Sequence, residues 1–208
     1  MDSAHQLWND RQKQLRLSLN NFSDTRSTMD LFLIQHAWVH DSPVSQCGEE
    51  TFADAAWQSV SEAQARMIPA GGEHSIIWLV WHMTRIEDAT MNVLVAGGQQ
   101  VFYNGAWQAI LHSPFVEIGN AMTCEERTEL SRTVDVKALR EYRAGVGRQT
   151  REMVRSLTAA DLQRKPSASQ LGQLIDERTV AVNRQGPLEY WGNLTVAGLL
   201  LMPPTRHN

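Results

Sequence analysis

The stretch Ser75-Ile-Ile-Trp-Leu-Val-Trp-His-Met-Thr-Arg-Ile-Glu-Asp-Ala-Thr-Met-Asn92 decides how the rest of the chain is read. At helical spacing it sets His82 between Trp78 and Leu79 one turn before it and Ile86 one turn after it, with Ala89 and Val93 continuing the line. These positions predict the apolar stripe of an amphipathic helix that stops at Ala96-Gly97-Gly98. A histidine in such a stripe turns its imidazole into a core. There it needs a hydrogen-bond partner or a metal, because an unpaired buried polar group costs about 1–3 kcal/mol.

Helical periodicity recurs on both sides of this segment, and strand-like alternation is scarce. Upstream, residues 4–20 and 25–41 read as helices, the second with Met29, Leu33, His36, Ala37 and His40 along one face. A shorter helix is expected near Thr51–Met67, closed by the break Ile68-Pro69-Ala70-Gly71-Gly72. Downstream, residues 99–134 read as mostly irregular, except that Thr123 and Glu126 form a capping box for a short helix through Ser131. A long helix follows over about 135–157, then a turn capped by Thr158 and Asp161, and an apolar helical region from Gly186 to Met202 before Pro203-Pro204. With no repeat and no sign of a second domain, the 208 residues are expected to form one all-α domain, an antiparallel helical bundle with long connections and short extra helices.

Composition narrows the function. The formal net charge is −4, and the arginines between Arg127 and Arg155 are interleaved with acids, which reads as a solvated helix face and argues against a nucleic-acid partner. No segment approaches the roughly 18 uninterrupted apolar residues of a membrane span, and the first residues lack a signal pattern. The two cysteines, Cys47 and Cys124, are far apart in no CxxC arrangement, so a cytoplasmic location with free thiols is expected. Tryptophans 38, 57, 78, 81, 107 and 191 suit core filling.

Trp78-Leu-Val-Trp-His82, followed by Arg85-Ile-Glu87-Asp88 and Met91-Asn92, resembles the second-helix signature of the DinB-like superfamily, four-helix bundles regarded as metalloenzymes. Agreement extends through Arg66-Met-Ile-Pro69, Gly105-Ala-Trp107, Met122-Thr-Cys-Glu125-Glu126 and Leu139-Arg-Glu-Tyr142, covering most of residues 30–160. The resemblance implies a divalent metal on three histidines, one from the second helix and an H-x-x-x-H pair from the last. His82 matches the first and His207 the first of the pair; its partner would fall at position 211, past Asn208, and the expectation is a shortened C-terminal helix. Some members of the superfamily are thiol S-transferases that use low-molecular-weight thiols.

His36 and His40 add a second possibility. At i and i+4 on one helix they can chelate an ion together, or complete or stand beside the site of His82. Glu87 and Asp88, five and six residues after His82, are expected to pair with arginines. The expected metal set is therefore His82, His207, His40 and His36, with Zn²⁺ or Ni²⁺ the most suitable ions. Two functions follow. One is an enzyme transferring a thiol to a small-molecule electrophile. The other is a non-catalytic helical module with an incomplete site, acting through dimerisation or partner binding. A homodimer is expected under either.

Overall fold

A computed structural model describes residues 3–21, 24–183, 185–202 and 204–205. In chain order, α1 spans Ser3–Asn21, α2 Thr25–Trp38, α3 Ser42–Ser45, α4 Phe52–Gln58, α5 Glu62–Arg66 and α6 Ile76–Glu87. A π-helical segment, Asp88–Val95, continues α6 without a break. Then come α7 Val101–Asn104, α8 Trp107–Ile110, α9 Cys124–Thr133, α10 Val136–Val154, α11 Ala159–Gln163, α12 Ala168–Asp176, α13 Gly186–Asn193 and α14 Val196–Leu201. No strand occurs among the described residues. The long helices are α1, α2, α6 with its π continuation, and α10. Helix α1 packs on α2, α6 on α10, and the short α12 and α14 on the π segment.

The start signals behave as the sequence predicts. Thr123 and Glu126 close a reciprocal capping box on α9, and Thr158 and Asp161 do the same on α11. Further boxes at Thr51/Asp54, Ser61/Gln64 and Ser167/Gln170 start α4, α5 and α12. Each satisfies helix N–H groups that would otherwise lack partners. Two of these boxes also correct an expectation: the helix expected over 51–67 is two, because Ser61 starts a new cap three residues after α4 ends at Gln58. The helix expected over 25–41 stops at Trp38. The apolar region 186–202 is broken at Leu194, where extended backbone lets Thr195 cap α14. Gly97, at φ +69°, ends the π segment as anticipated.

Two apolar clusters lie along the long axis of α6 and α10. The first holds Trp78, Trp81, Leu139, Tyr142 and Val146. The second holds Ile86, Ala89, Val93 and Val154 with Leu15, Phe32, Leu174, Trp191 and Leu199. The stripe predicted around His82 is buried except for Leu79, which is 42% exposed where it borders a cavity beside α4. Where the clusters meet, the bundle holds a polar layer: Glu87 and Asp88 on α6 and its continuation, and Thr150 on α10, all buried.

Asp88 shows what this layer does for the fold. Its Oδ1 accepts the backbone N–H of Val101 and the side-chain N–H of Asn92, and its Oδ2 accepts from the N–H of Phe102 and the Tyr142 hydroxyl at 2.6 Å. Arg85, 3.4 Å away, supplies the countercharge, lies 4.0 Å over the Phe102 ring, and donates to the Val116 carbonyl. One carboxylate thereby fixes the start of α7 against α6 and α10. Burial raises the Asp88 carboxyl above the ordinary value, while Arg85, Tyr142 and the two backbone amides oppose that rise. Asp88→Ala would leave Arg85 as an uncompensated buried charge; urea denaturation should show a loss of about 3–5 kcal/mol.

Candidate metal centre

Side chains at positions 87 and 88 leave a helix about 100° apart, so Glu87 points away from the Asp88 network, toward α2. Its Oε1 lies 2.9 Å from His36 Nε2 and its Oε2 2.9 Å from His40 Nε2. Thr150 donates its hydroxyl to Oε1 at 2.8 Å. His36 sits in the last turn of α2 and His40 two residues past its end, so the i, i+4 spacing survives the helix stop, and their rings stack at 4.3 Å. Both histidines are wholly buried and Glu87 nearly so. Burial alone would raise the Glu87 carboxyl, but His40 and His36 outweigh it and hold the group well below the usual range. Burial drives His40 down to about 3, helped by Arg143 and His36 and opposed by Glu87. The resting form thus sets an ionised Glu87 carboxylate against a neutral His40 imidazole, with His36 on its other oxygen.

His36, His40 and Glu87 form a group that could hold a metal ion, their ligand atoms lying within 4.8 Å of one another. Two histidines and a carboxylate are a common donor set for a divalent cation. The surroundings are less suited. An ion on the two Nε2 atoms would move each ring proton to Nδ1, and neither buried Nδ1 has an acceptor. His40 Nδ1 lies directly against α10 at Gly147, where an added Cβ would stand 2.6 Å from it. Arg143, donating to the Val39 carbonyl at 2.7 Å and to Thr84 Oγ1 at 3.3 Å, adds positive charge close by. The donor types fit a metal, whereas the packing around them fits the proton-bridged form.

His82 is placed differently. Its Nδ1 lies 2.5 Å from the carbonyl oxygen of Ile118, which can only accept, so Nδ1 carries a proton. Trp78 stacks on the ring at 4.6 Å, and His74 lies tilted against Trp78 at 3.8 Å. Gly119 permits the approach: its φ of +95° and a would-be Cβ 3.1 Å from Trp78 exclude a larger residue beside the carbonyl that orients His82. Metal-ligating imidazoles usually donate their other N–H to such an acceptor. That combination of donor and orienting group fits a divalent ion.

The structure therefore brings His36 and His40 together, with Glu87 as the group the sequence reading did not pair with them. His82 is not part of that trio. His207 lies outside the described residues. Glu87 was expected to meet an arginine, as Asp88 does; its histidine partners sit 47 and 51 residues earlier and leave no local signature. The supposed solvated arginine face is corrected too. Arg143 and Arg151 are buried, Arg151 donating to the Leu33 carbonyl, because both lie on the side of α10 that packs toward α2.

A sequence profile described as the DinB superfamily matches residues 51–202. The matched span includes His82 and Glu87, while His36 and His40 precede it. No curated protein sequence matches the chain.

The burial of His40 has a measurable consequence. In the unfolded chain this imidazole takes up a proton near pH 6.5, whereas in the folded chain it stays neutral until about pH 3. The unfolded state therefore binds the extra proton between those values, and stability falls as pH is lowered through that window, by up to about 1.4 kcal/mol per pH unit from this group. Below the ordinary carboxylate range Glu87, with its depressed pKa, adds to the loss in the same direction. Urea titrations from pH 7 to 4.5 should show this slope in the wild type and a shallower one in His40→Ala, even though that variant is less stable throughout.

Proposed function

Because the chain belongs to the DinB superfamily, we propose that it is a divalent-metal-dependent enzyme that transfers a low-molecular-weight thiol to a small electrophile, with His82 as a metal ligand. The observation that supports this reading is the hydrogen bond from His82 Nδ1 to the Ile118 carbonyl, the orienting contact that metal-bound imidazoles usually make. Zn²⁺ or Ni²⁺ suits an imidazole donor. His207, the other histidine of the family pattern within this sequence, is the proposed second ligand.

A cation bound there would keep a coordinated thiol as its thiolate at neutral pH. The protein's own contribution is positioning. Ile118 holds the imidazole through its carbonyl, Trp78 covers one face of the ring, and Trp81 donates its indole N–H to the Glu117 carbonyl, one residue before Ile118. Burial raises the Glu117 carboxyl, with Glu126 adding to the rise, so a carboxyl with a raised affinity for protons stands one residue from the carbonyl that orients His82. The His36–Glu87–His40 trio has a separate role under this reading, as the polar tie between α2, α6 and α10.

Elemental analysis of protein purified without chelator or affinity tag tests the reading. The wild type should carry about one equivalent of Zn or Ni, His82→Ala should lose it while keeping its helical circular dichroism, and His40→Ala should keep it. Thiol-transfer assays with a panel of small thiols should follow the metal content. Metal retained in His82→Ala but lost in His40→Ala would move the ion to the trio. Metal-free wild-type protein would favour a non-catalytic helical module.

A further inference from the structure

A cavity of about 260 Å³ opens on the α4 side of α6, walled by Val39, Phe52, Trp57, Leu79 and Met83. Among its described lining residues, Arg143 is the one charged side chain and the rest are apolar. The guanidinium is held at the inner end. It donates to the carbonyl of Val39, itself a wall residue, and to the Thr84 hydroxyl, one residue on from Met83. At the mouth, Leu79 is largely exposed, and Arg140 stacks on the Trp57 ring at 5.1 Å. The cavity is separate from the His82 site: its α6 residues leave the helix on the side facing α4 and α10, whereas the His82 ring meets Ile118.

We propose that this cavity is a binding site for a small organic acid, a carboxylate carrying an apolar chain or ring, with the anion directed to Arg143 and the apolar body against Phe52, Trp57, Leu79 and Met83. Two features argue for this class of ligand. A guanidinium fixed among apolar walls attracts an anion far more strongly than one in water, because little solvent screens it. The walls in turn favour apolar surface, at about 0.8 kcal/mol for each methylene buried, which sets an amphipathic acid apart from an inorganic anion. The size fits as well, since small-molecule sites begin at about 300 Å³, and a cavity near that limit suits a chain of several carbons or one ring.

Isothermal titration calorimetry with octanoate, octan-1-ol and acetate tests the site. Octanoate should bind at least about tenfold more tightly than octan-1-ol, a difference of about 1.4 kcal/mol, and acetate should not bind detectably. Ala56→Phe, at an exposed position on the cavity rim, should weaken octanoate binding by at least about tenfold without unfolding α4. Arg143→Met should abolish the preference for the acid over the alcohol; should that variant fail to fold, the octanoate-to-octanol ratio and Ala56→Phe carry the test. Equal affinity for acid and alcohol would overturn the proposal, as would no binding of octanoate. Sedimentation showing that the wild type dimerises, that Ala56→Phe is monomeric and that octanoate has no effect would assign this face to a second copy of the chain instead.

Discussion

Two adjacent buried carboxylates, Glu87 and Asp88, govern how this bundle is put together. An ionised carboxyl out of water is tolerated only with its lone pairs filled and its charge answered, and neighbouring positions on a helix cannot share one set of partners. Glu87 therefore draws His36, His40 and Thr150 from α2 and α10, while Asp88 draws Arg85, Asn92, Tyr142 and the first amides of α7. Each set ties different elements to the same point on the central helix. The layer lies between two apolar clusters, so it also sets how α2 and α10 register along α6: a helix slid by one turn would strand a carboxylate against hydrocarbon.

The π geometry that begins at Asp88 belongs to the same picture. A π segment changes the angular spacing of side chains, and here the change starts at the residue whose carboxylate must reach α7 and Tyr142. Ile86 and Ala89 nevertheless stay in the apolar cluster. The helix keeps its buried stripe while its polar residues reach partners in several directions.

Much of the fold was legible from periodicity and caps. The four long helices, the box at Thr123/Glu126, the cap at Thr158/Asp161 and the stop at Gly97 all depend on residues within a few positions of one another, which a single sequence displays directly. His82 was legible in the same way, as a polar residue inside an apolar stripe. The role of Glu87 was not, because its partners come from a distant helix and its helical angle from His82 suggested only an ion pair with an arginine. Leu79 misled for the opposite reason. It fits the stripe by spacing, but it borders a cavity that exists only once α4 is in place. Helix α12 and the break at Leu194 went unread, since residues 164–176 are polar enough to pass for loop and nothing near Leu194 signals a stop.

The reciprocal caps bear on the order in which the molecule can assemble. Each of the five boxes joins residues three positions apart, so the helices they start can form with almost no loss of loop-closure entropy. The bonds to Glu87 and the Tyr142 bond to Asp88 join residues 47 to 63 positions apart. Local helices can therefore appear while the central carboxylates are still hydrated, and water leaves Glu87 and Asp88 only as α2 and α10 close over them. The dehydration of one dipeptide then becomes the late step that commits the chain to its native arrangement, and a bundle caught before it would be helical yet open at its middle.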